Sequence, residues 1–195
     1  MSQLLEKTAD QRMIYQYRTW EQFKLIQKGF EGLPGVRLSY YAETVELLMP
    51  GQDHEVFSSV IGALLFNFLA QKGIFFLPTG SMTQEREEKA SVQADQSFCI
   101  GNRKPIPDLS IEIIFTSGSE SKLALYQALE VPEVWFWQDG VLRLHHLRES
   151  GYERIDRSEL PGLEDLDIDL LRRCILMAET DPGEAARMFQ QRFPH

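Results

Sequence analysis

Two acidic residues on neighbouring predicted strands are the first residues in this chain that could do chemistry. Apolar and polar residues alternate over 92–100 and 108–115, with a turn segment at 101–107 between them. If the two strands pair antiparallel, Asp95 lies opposite Glu112 on one face of the sheet. Like charges so placed repel each other, so we expect a positive group between them. A divalent cation such as Mg²⁺ meets that need. The alternative is that both carboxylates face water on a half-solvated sheet.

A lysine in the next predicted helix is the second such residue. Residues 117–120 have the pattern of a capping box, which predicts a helix over 119–130 and places Lys122 near its N-terminus. A cation there faces the positive end of the helix dipole, at a cost of about 0.3–1 kcal/mol. Lys122 also shares a stripe with Leu125 and Tyr126, the side expected to face the sheet, so its amine can reach the acidic pair. The alternative is a surface lysine whose stem lies along apolar residues.

The elements that must position these residues predict a mixed α/β fold. They are a helix at 19–28, a β-hairpin at 36–49, a long helix from a cap at Asp53 to Gly73, a strand at 74–77, a charged exposed loop at 83–89, the two strands above, the helix at 119–130, strands at 134–137 and 141–144, and a helical tail from about 158. The residues expected to share one buried face of the two central strands are Phe98, Ile100, Leu109, Ile111, Ile113 and Phe115.

Length and composition favour one globular domain. The chain has 195 residues, 43% hydrophobic and 25% charged, which is typical of a soluble fold. We predict a single domain over 1–195, with an N-terminal helix and hairpin at 18–50, a core at 53–147 and an acidic helical region at 158–195. No apolar run approaches the ~20 residues of a membrane span, and no signal peptide is recognised, so we expect a cytoplasmic protein without membrane contact.

Charge and cysteine content exclude further classes. The 20 Lys and Arg against 29 Asp and Glu give a net charge of −9, which argues against non-specific nucleic-acid binding but allows a locally positive cleft. Cys99 and Cys174 both have apolar neighbours, which predicts reduced core residues rather than disulfides or a zinc site. His145 and His146 are adjacent on a predicted strand, so they cannot both bind one metal ion.

Several segments together resemble the Uma-two family of candidate restriction endonucleases, part of the PD-(D/E)XK nuclease superfamily. They are ADQSF at 94–98, PDLSIEI at 107–113, SKLALY at 121–126 and VPEVW at 131–135, with VEL at 45–47 and HE at 54–55 upstream. The resemblance covers roughly 20–147. It implies a restriction-endonuclease-like α/β fold, in which helices flank a central mixed β-sheet with an acidic metal site at its edge.

The motif residues carry over position by position, with two departures. Asp95 matches the motif aspartate and Glu112 the glutamate of the D/E-X-K element. Ala94 replaces the motif proline, and Ile114 stands where the lysine would be. In this family the lysine is moved to the following helix, which makes Lys122 its counterpart.

The resemblance implies metal-assisted hydrolysis of DNA phosphodiester bonds. Mg²⁺, or Mn²⁺ in its place, would be bound by Asp95, Glu112 and the main-chain carbonyl of Ile113. Lys122 would orient the attacking water or neutralise charge on the phosphorane.

Two further residues are similar to acidic and histidine positions of the family. Glu46, near the start of the long helix, would hold a second metal ion or its waters. The alternative interpretation is that Glu46 is a solvent-facing residue of the hairpin. His54 matches a recurring histidine and is a candidate catalytic residue. Its alternative is a helix cap or a hydrogen-bonded polar residue without a catalytic role.

A different class of function stays open beside the endonuclease. A nuclease-fold module without activity, binding nucleic acid or protein, agrees with the acidic charge. A homodimer is expected by analogy, since cleavage of two strands benefits from twofold symmetry. Trp135 and Trp137 share a face and are expected to pack in the sheet, with base stacking as the alternative.

Overall fold

The computed structural model describes residues 9–115 and 119–192, where eleven strands form two sheets and five helices pack on them. The strands are β1 Gln11–Tyr15, β2 Arg37–Tyr41, β3 Thr44–Met49, β4 Phe76–Pro78, β5 Thr83–Arg86, β6 Ala90–Gln93, β7 Gln96–Ile100, β8 Leu109–Ile114, β9 Glu133–Gln138, β10 Val141–Arg148 and β11 Gly151–Ile155. The helices are α1 Trp20–Gly29, α2 Gln52–Gln71, α3 Ser119–Leu129, α4 Ile168–Met177 and α5 Pro182–Gln191.

The larger sheet, here called the central sheet, is mixed. Its strand order is β11-β10-β9-β8-β7-β4, and every neighbouring pair is antiparallel except β8 and β9, which are parallel. Parallel neighbours need a crossover connection, which here contains α3. Helices α2, α4 and α5 pack on one face and α3 on the other. This arrangement confirms the predicted fold class, a restriction-endonuclease-like α/β fold with a central mixed sheet between helices.

The central strand β8 is buried on both faces. All six of its residues are buried, because α2 and the C-terminal helices cover one side and α3 the other. Five of the six residues predicted for a shared core face lie in one cluster; they are Phe98, Ile100, Leu109, Ile111 and Ile113. Phe115 was wrongly included, since it follows the last residue of β8 and its side chain is 46% exposed.

The smaller sheet, here called the N-terminal sheet, has the order β1-β3-β2-β6-β5. The predicted hairpin forms β2 and β3, and both residues of its tight turn, Ala42 and Glu43, have positive φ (45° and 57°), as hairpin turns of this length require. Helix α1 begins as predicted, with Thr19 as N-cap of a complete capping box. It packs on one face of the hairpin through Phe23 and Tyr40, so the opposite face is left to contact the rest of the molecule.

The strand predicted at 92–100 is in fact two strands in different sheets. β6 pairs with β2 in the N-terminal sheet, whereas β7 pairs with β8 in the central sheet. Ala94 and Asp95 form the bend between them, and the carbonyl of Asp95 accepts a hydrogen bond from Ser58 Oγ at 3.1 Å. Alternation of side chains continues through the bend while the pairing partner changes, so the pattern alone could not reveal it. The bend places Asp95 where the two sheets meet.

Other boundaries also differ from the prediction. The charged segment predicted as an exposed loop at 83–89 is an exposed turn only over 87–89, because its first four residues form strand β5, which pairs with β6, and Gln84 is fully buried. The long helix is capped by Gly51 rather than Asp53. Strands β1 and β11 lie in segments for which no element was predicted.

The C-terminal helices belong to the main core. Leu170, Leu171 and Phe189 lie in the same buried cluster as α2 and the central sheet. Cys99 and Cys174 are free and buried, as predicted. Across 9–115 and 119–192, no helix combines the length and the apolar character that crossing a membrane requires.

A buried glutamate ties the central sheet to this C-terminal region. Glu133, at the start of β9, is fully buried. Its carboxylate accepts hydrogen bonds from Trp135 Nε1 at 2.9 Å, Ser158 Oγ at 2.8 Å and the Glu159 main-chain N–H at 2.6 Å, and it lies 3.1 Å from His146 Nδ1. The contact also gives His146 a structural role.

Replacing Glu133 by Ala is expected to lower the free energy of unfolding by about 3–5 kcal/mol, since several buried donors lose their acceptor at once. Urea unfolding measures this. The matched control is Glu153→Ala, whose side chain is 63% exposed and paired with Arg148, and which should cost about 0.5 kcal/mol or less. Equal losses for the two variants would contradict a structural role for Glu133.

Candidate active site

The two acidic residues predicted to face each other do so. In the β7–β8 pair, Gln96 lies opposite Ile111 and Ser97 opposite Ser110. Extending this register by one residue places Asp95 opposite Glu112, and the Asp95 N–H donates to the Ile111 carbonyl at 3.1 Å. Asp95 is 2% exposed and Glu112 1% exposed. The alternative of a half-solvated sheet face is therefore wrong, because the N-terminal sheet and α3 cover these side chains.

Lys122 contacts this acidic pair. It lies in the first turn of α3, and its Nζ is 2.6 Å from Glu112 Oε2. Its side chain is 17% exposed, so it is not the surface lysine of the alternative. Tyr126, one turn further along α3, donates its hydroxyl to Oε1 of the same carboxylate. The capping box predicted at 117–120 lies outside the described residues.

Asp95 has a different set of partners. Its Oδ2 accepts a hydrogen bond from the Ile113 main-chain N–H at 2.5 Å. Its Oδ1 accepts from Arg37 Nη1 and lies 2.8 Å from His54 Nε2. The two carboxylates are thus each held by separate groups, Glu112 from α3 and Asp95 from β2, α2 and its own sheet.

His54 is held on both ring nitrogens. Its Nε2 faces Asp95, and its Nδ1 lies 2.9 Å from Asp10 Oδ2. The other oxygen of Asp10 accepts from the N–H of Gly51, the N-cap of α2, at 2.7 Å. His54 is fully buried. It is thus a fully hydrogen-bonded polar residue at the start of the helix, and its catalytic role stays a prediction.

Glu46 lies on β3 rather than at the start of α2. It borders the site, and among the residues that the structure describes no hydrogen bond joins it to Asp95 or Glu112. Its Oε2 lies 2.7 Å from Arg12 Nη2, and its side chain is 15% exposed, so it is not a solvent-facing hairpin residue. It shares with Lys122 and Leu125 the lining of a cleft of about 170 Å³ between the N-terminal sheet and α3. This cleft is the open side of the site.

The charges of the buried groups are strongly interdependent. Burial raises the pKa of Glu112 more than nearby Lys122 lowers it, and repulsion from Asp95 raises it further. Burial also raises the pKa of Asp95, but the hydrogen bond and charge of His54 and the charge of Arg37 more than offset this and lower it. The two carboxylates are thus distinct, with Asp95 the more readily ionised.

The cations respond to the same carboxylates. Burial lowers the pKa of Lys122, but the charges of Glu112 and Asp95 outweigh it and raise the pKa. Burial likewise lowers the pKa of His54, and contacts with Asp95 and Asp10 raise it more. Lys122 is therefore an ammonium ion at neutral pH, suited to stabilising negative charge rather than to accepting a proton.

The donor set suits a hard divalent cation. Mg²⁺ is bound by one or two carboxylates and completes its shell with waters or phosphate oxygens. Asp95 and Glu112 supply two carboxylates that lie opposite each other. Within the part of the chain that the structure describes, no three His, Cys, Asp or Glu side chains are grouped to hold a metal ion. A site closed entirely by protein ligands is therefore not formed by these residues.

Three contact residues were not predicted as part of the site. Tyr126 lies one turn from Lys122 on the same stripe of the predicted helix, and that spacing is the signal for it. Arg37 and the buried Leu38 are neighbours on β2 and lie on opposite faces of the sheet. This alternation predicts the face on which Arg37 lies, but not which element packs on that face. Asp10 is 44 positions from its partner His54, and no pattern in the sequence connects them.

The two tryptophans are structural. Trp135 is fully buried and Trp137 is 2% exposed, and both lie in the main core beside α2. Base stacking by these rings is therefore excluded in this conformation.

Replacing Lys122 by Met should lower the free energy of unfolding by about 3–5 kcal/mol at neutral pH, because a buried carboxylate loses its cation. The loss should depend on pH. Without Lys122 the folded-state pKa of Glu112 rises further above the ordinary value for a glutamate. A raised folded-state pKa means that the folded state holds the proton more tightly, so stability falls as pH rises between the unfolded and folded pKa values.

Urea unfolding between about pH 4.5 and pH 8 tests this sign. The difference between wild type and Lys122→Met should be small at the acidic end and largest at the alkaline end. The double variant Glu112→Gln/Lys122→Met should recover part of the loss, because it removes both charges. A loss that is the same at every pH would refute the electrostatic account.

A known protein family matches the part of the chain that carries the site. Residues 20–173 match the model of a family described as Uma2, putative restriction endonuclease. No curated protein matches the chain. The matched range includes both carboxylates, Lys122 and Arg37, but not Asp10. Because it spans well over half of the sequence, this chain belongs to the Uma2 family.

Proposed function

We propose that this protein is an endonuclease that hydrolyses DNA phosphodiester bonds with the help of Mg²⁺, or of Mn²⁺ in its place. The observation that carries the proposal is the position of Lys122. Its ammonium group lies 2.6 Å from Glu112, one of the two opposed carboxylates. Asp95, Glu112 and the main-chain carbonyl of Ile113 would hold the cation. Glu46, on the other wall of the cleft, would hold a second cation or its waters. Family membership supports a nuclease in general terms.

The chain's own residues would act as follows. Divalent-cation chemistry supplies polarisation of a phosphoryl oxygen and a lower pKa for the attacking water. Lys122, charged and fixed by Glu112, would neutralise the negative charge that develops on the phosphorane oxygens. Tyr126 would keep the Glu112 carboxylate in one orientation through its hydrogen bond. The Ile113 N–H and His54 would do the same for Asp95. Both carboxylates would then keep a fixed orientation towards the cation.

The acidic net charge bears on how DNA would reach the site. At −9 the whole protein repels a polyanion. The cleft between β2, β3 and α3 is different locally, because Arg37 and Lys122, with Glu46 as the one acid, line a small pocket that adjoins it. We infer that binding depends on this local pair of cations and on the metal, and that affinity falls steeply with salt.

Plasmid nicking with purified variants tests the proposal. Wild type should nick DNA in Mg²⁺ or Mn²⁺, and EDTA should abolish nicking. Glu112→Gln and Lys122→Met should each reduce the rate by about 100-fold or more, the loss typical of removing one group that stabilises a transition state. The matched controls are Glu87→Gln and Lys89→Met, both at exposed positions in the β5–β6 turn.

The controls should nick like wild type. Equal residual nicking by wild type and both site variants would indicate a contaminating nuclease and would overturn the proposal. A second candidate, a nuclease-fold module that binds nucleic acid or protein without cleaving, is favoured by one observation: the oxygens of both carboxylates are already bonded to protein donors. DNA binding without nicking in any metal would support that candidate.

A further inference from the structure

We propose that Arg37 is a substrate-binding residue that competes with the divalent cation for Asp95 and, once released, binds a phosphate of the nucleic acid. The inference deepens the proposed function and rests on it. Arg37 belongs neither to the sequence motif nor to the groups that would hold the cation.

Arg37 lies between the buried acid and the open cleft. It begins β2 and projects from the face of the N-terminal sheet that is not covered by α1. Its side chain is 13% exposed, whereas that of Asp95 is fully buried. Together with Glu46 and Lys122 it lines a small pocket that adjoins the cleft. An ion or phosphate that enters from the cleft therefore meets the guanidinium of Arg37 before it reaches Asp95.

Asp95 can lose Arg37 without losing all of its partners. Arg37 Nη1 and His54 Nε2 both approach the same oxygen, Oδ1 of Asp95, and lie 2.9 Å from each other. The second oxygen, Oδ2, keeps its bond to the Ile113 N–H. Of the groups on Oδ1, His54 is fixed from behind by Asp10, so Arg37 is the one that can withdraw. A divalent cation needs that oxygen and repels the guanidinium.

The far side of the guanidinium already extends towards solvent. Arg37 Nη2 lies 2.9 Å from Oε1 of Glu55, whose side chain is 53% exposed. Arginine presents a planar set of five N–H donors that matches two oxygens of a phosphate, and it keeps its charge in all conditions. Released from Asp95, Arg37 would remain on the cleft wall, close to where a phosphate next to Lys122 would lie. The ligand class that this geometry fits is a phosphodiester.

Two binding measurements on the full chain separate this role from a structural one. Isothermal titration calorimetry with MgCl₂ gives the affinity for the cation. Fluorescence anisotropy of a labelled duplex oligonucleotide, in Ca²⁺ to limit cleavage, gives the affinity for DNA. The variants are Arg37→Met, Arg37→Lys and the control Arg172→Met, an arginine on α4 that is 42% exposed. Unfolding midpoints in urea are compared for all of them.

The two affinities should move in opposite directions in Arg37→Met. Mg²⁺ should bind about 30-fold more tightly, the effect of removing one unit charge about 4 Å from a divalent cation in water. DNA should bind at least about tenfold more weakly, as expected for the loss of a charged hydrogen bond. Arg37→Lys should lie between Arg37→Met and wild type, and Arg172→Met should match wild type. A merely structural role would weaken both affinities together.

The outcomes also separate this inference from the proposed function. Opposite shifts without any nicking by wild type would support the role of Arg37 and contradict the nuclease. Nicking by wild type with unchanged or jointly weakened affinities in Arg37→Met would overturn the role of Arg37 and leave the nuclease intact. Absence of Mg²⁺ binding by wild type would overturn the inference outright.

Discussion

Two carboxylates that are buried almost completely must be balanced by charge, and much of the described architecture serves that balance. Glu112 lies on β8 and Asp95 in the bend before β7, each less than 3% exposed, where an unpaired charge costs several kcal/mol. Lys122 approaches from one side and Arg37 with His54 from the other. Each of these partners comes from a different element, so α3, β2 and α2 must all be in place before the two acids can remain ionised together.

The bend at Ala94–Asp95 is what makes this convergence possible. A continuous strand would have kept the chain in one sheet and left Asp95 on a single surface. Because the chain instead passes from the N-terminal sheet to the central sheet, Asp95 lies at their junction and can be reached from β2 on one sheet and from β8 on the other. The cleft that leads to Lys122 is the space left between the N-terminal sheet and α3.

Local pattern was sufficient for the part of the site that depends on neighbouring strands and one helix. Two alternating segments around a short connection predict the register that places Asp95 opposite Glu112. Lys122 could be predicted as a site residue from its helical spacing and from its unfavourable position near the N-terminus of the helix. The bend was hidden because alternation is the same on both sides of it. Arg37 and Asp10 could not be predicted as site residues. Their contacts join residues that are far apart in the sequence and depend on how the two sheets pack, which a local sequence pattern does not show.

The contact between Asp10 and His54 has a practical consequence for anyone who trims the chain to its recognisable family segment. That segment begins at residue 20, so a fragment cut there loses both the carboxylate behind the imidazole and Arg12, the arginine beside Glu46. It would also lose edge strand β1, which pairs with β3 along its whole length. A fragment with boundaries chosen from homology alone would thus contain every motif residue but would lack the contacts that hold His54 and Glu46.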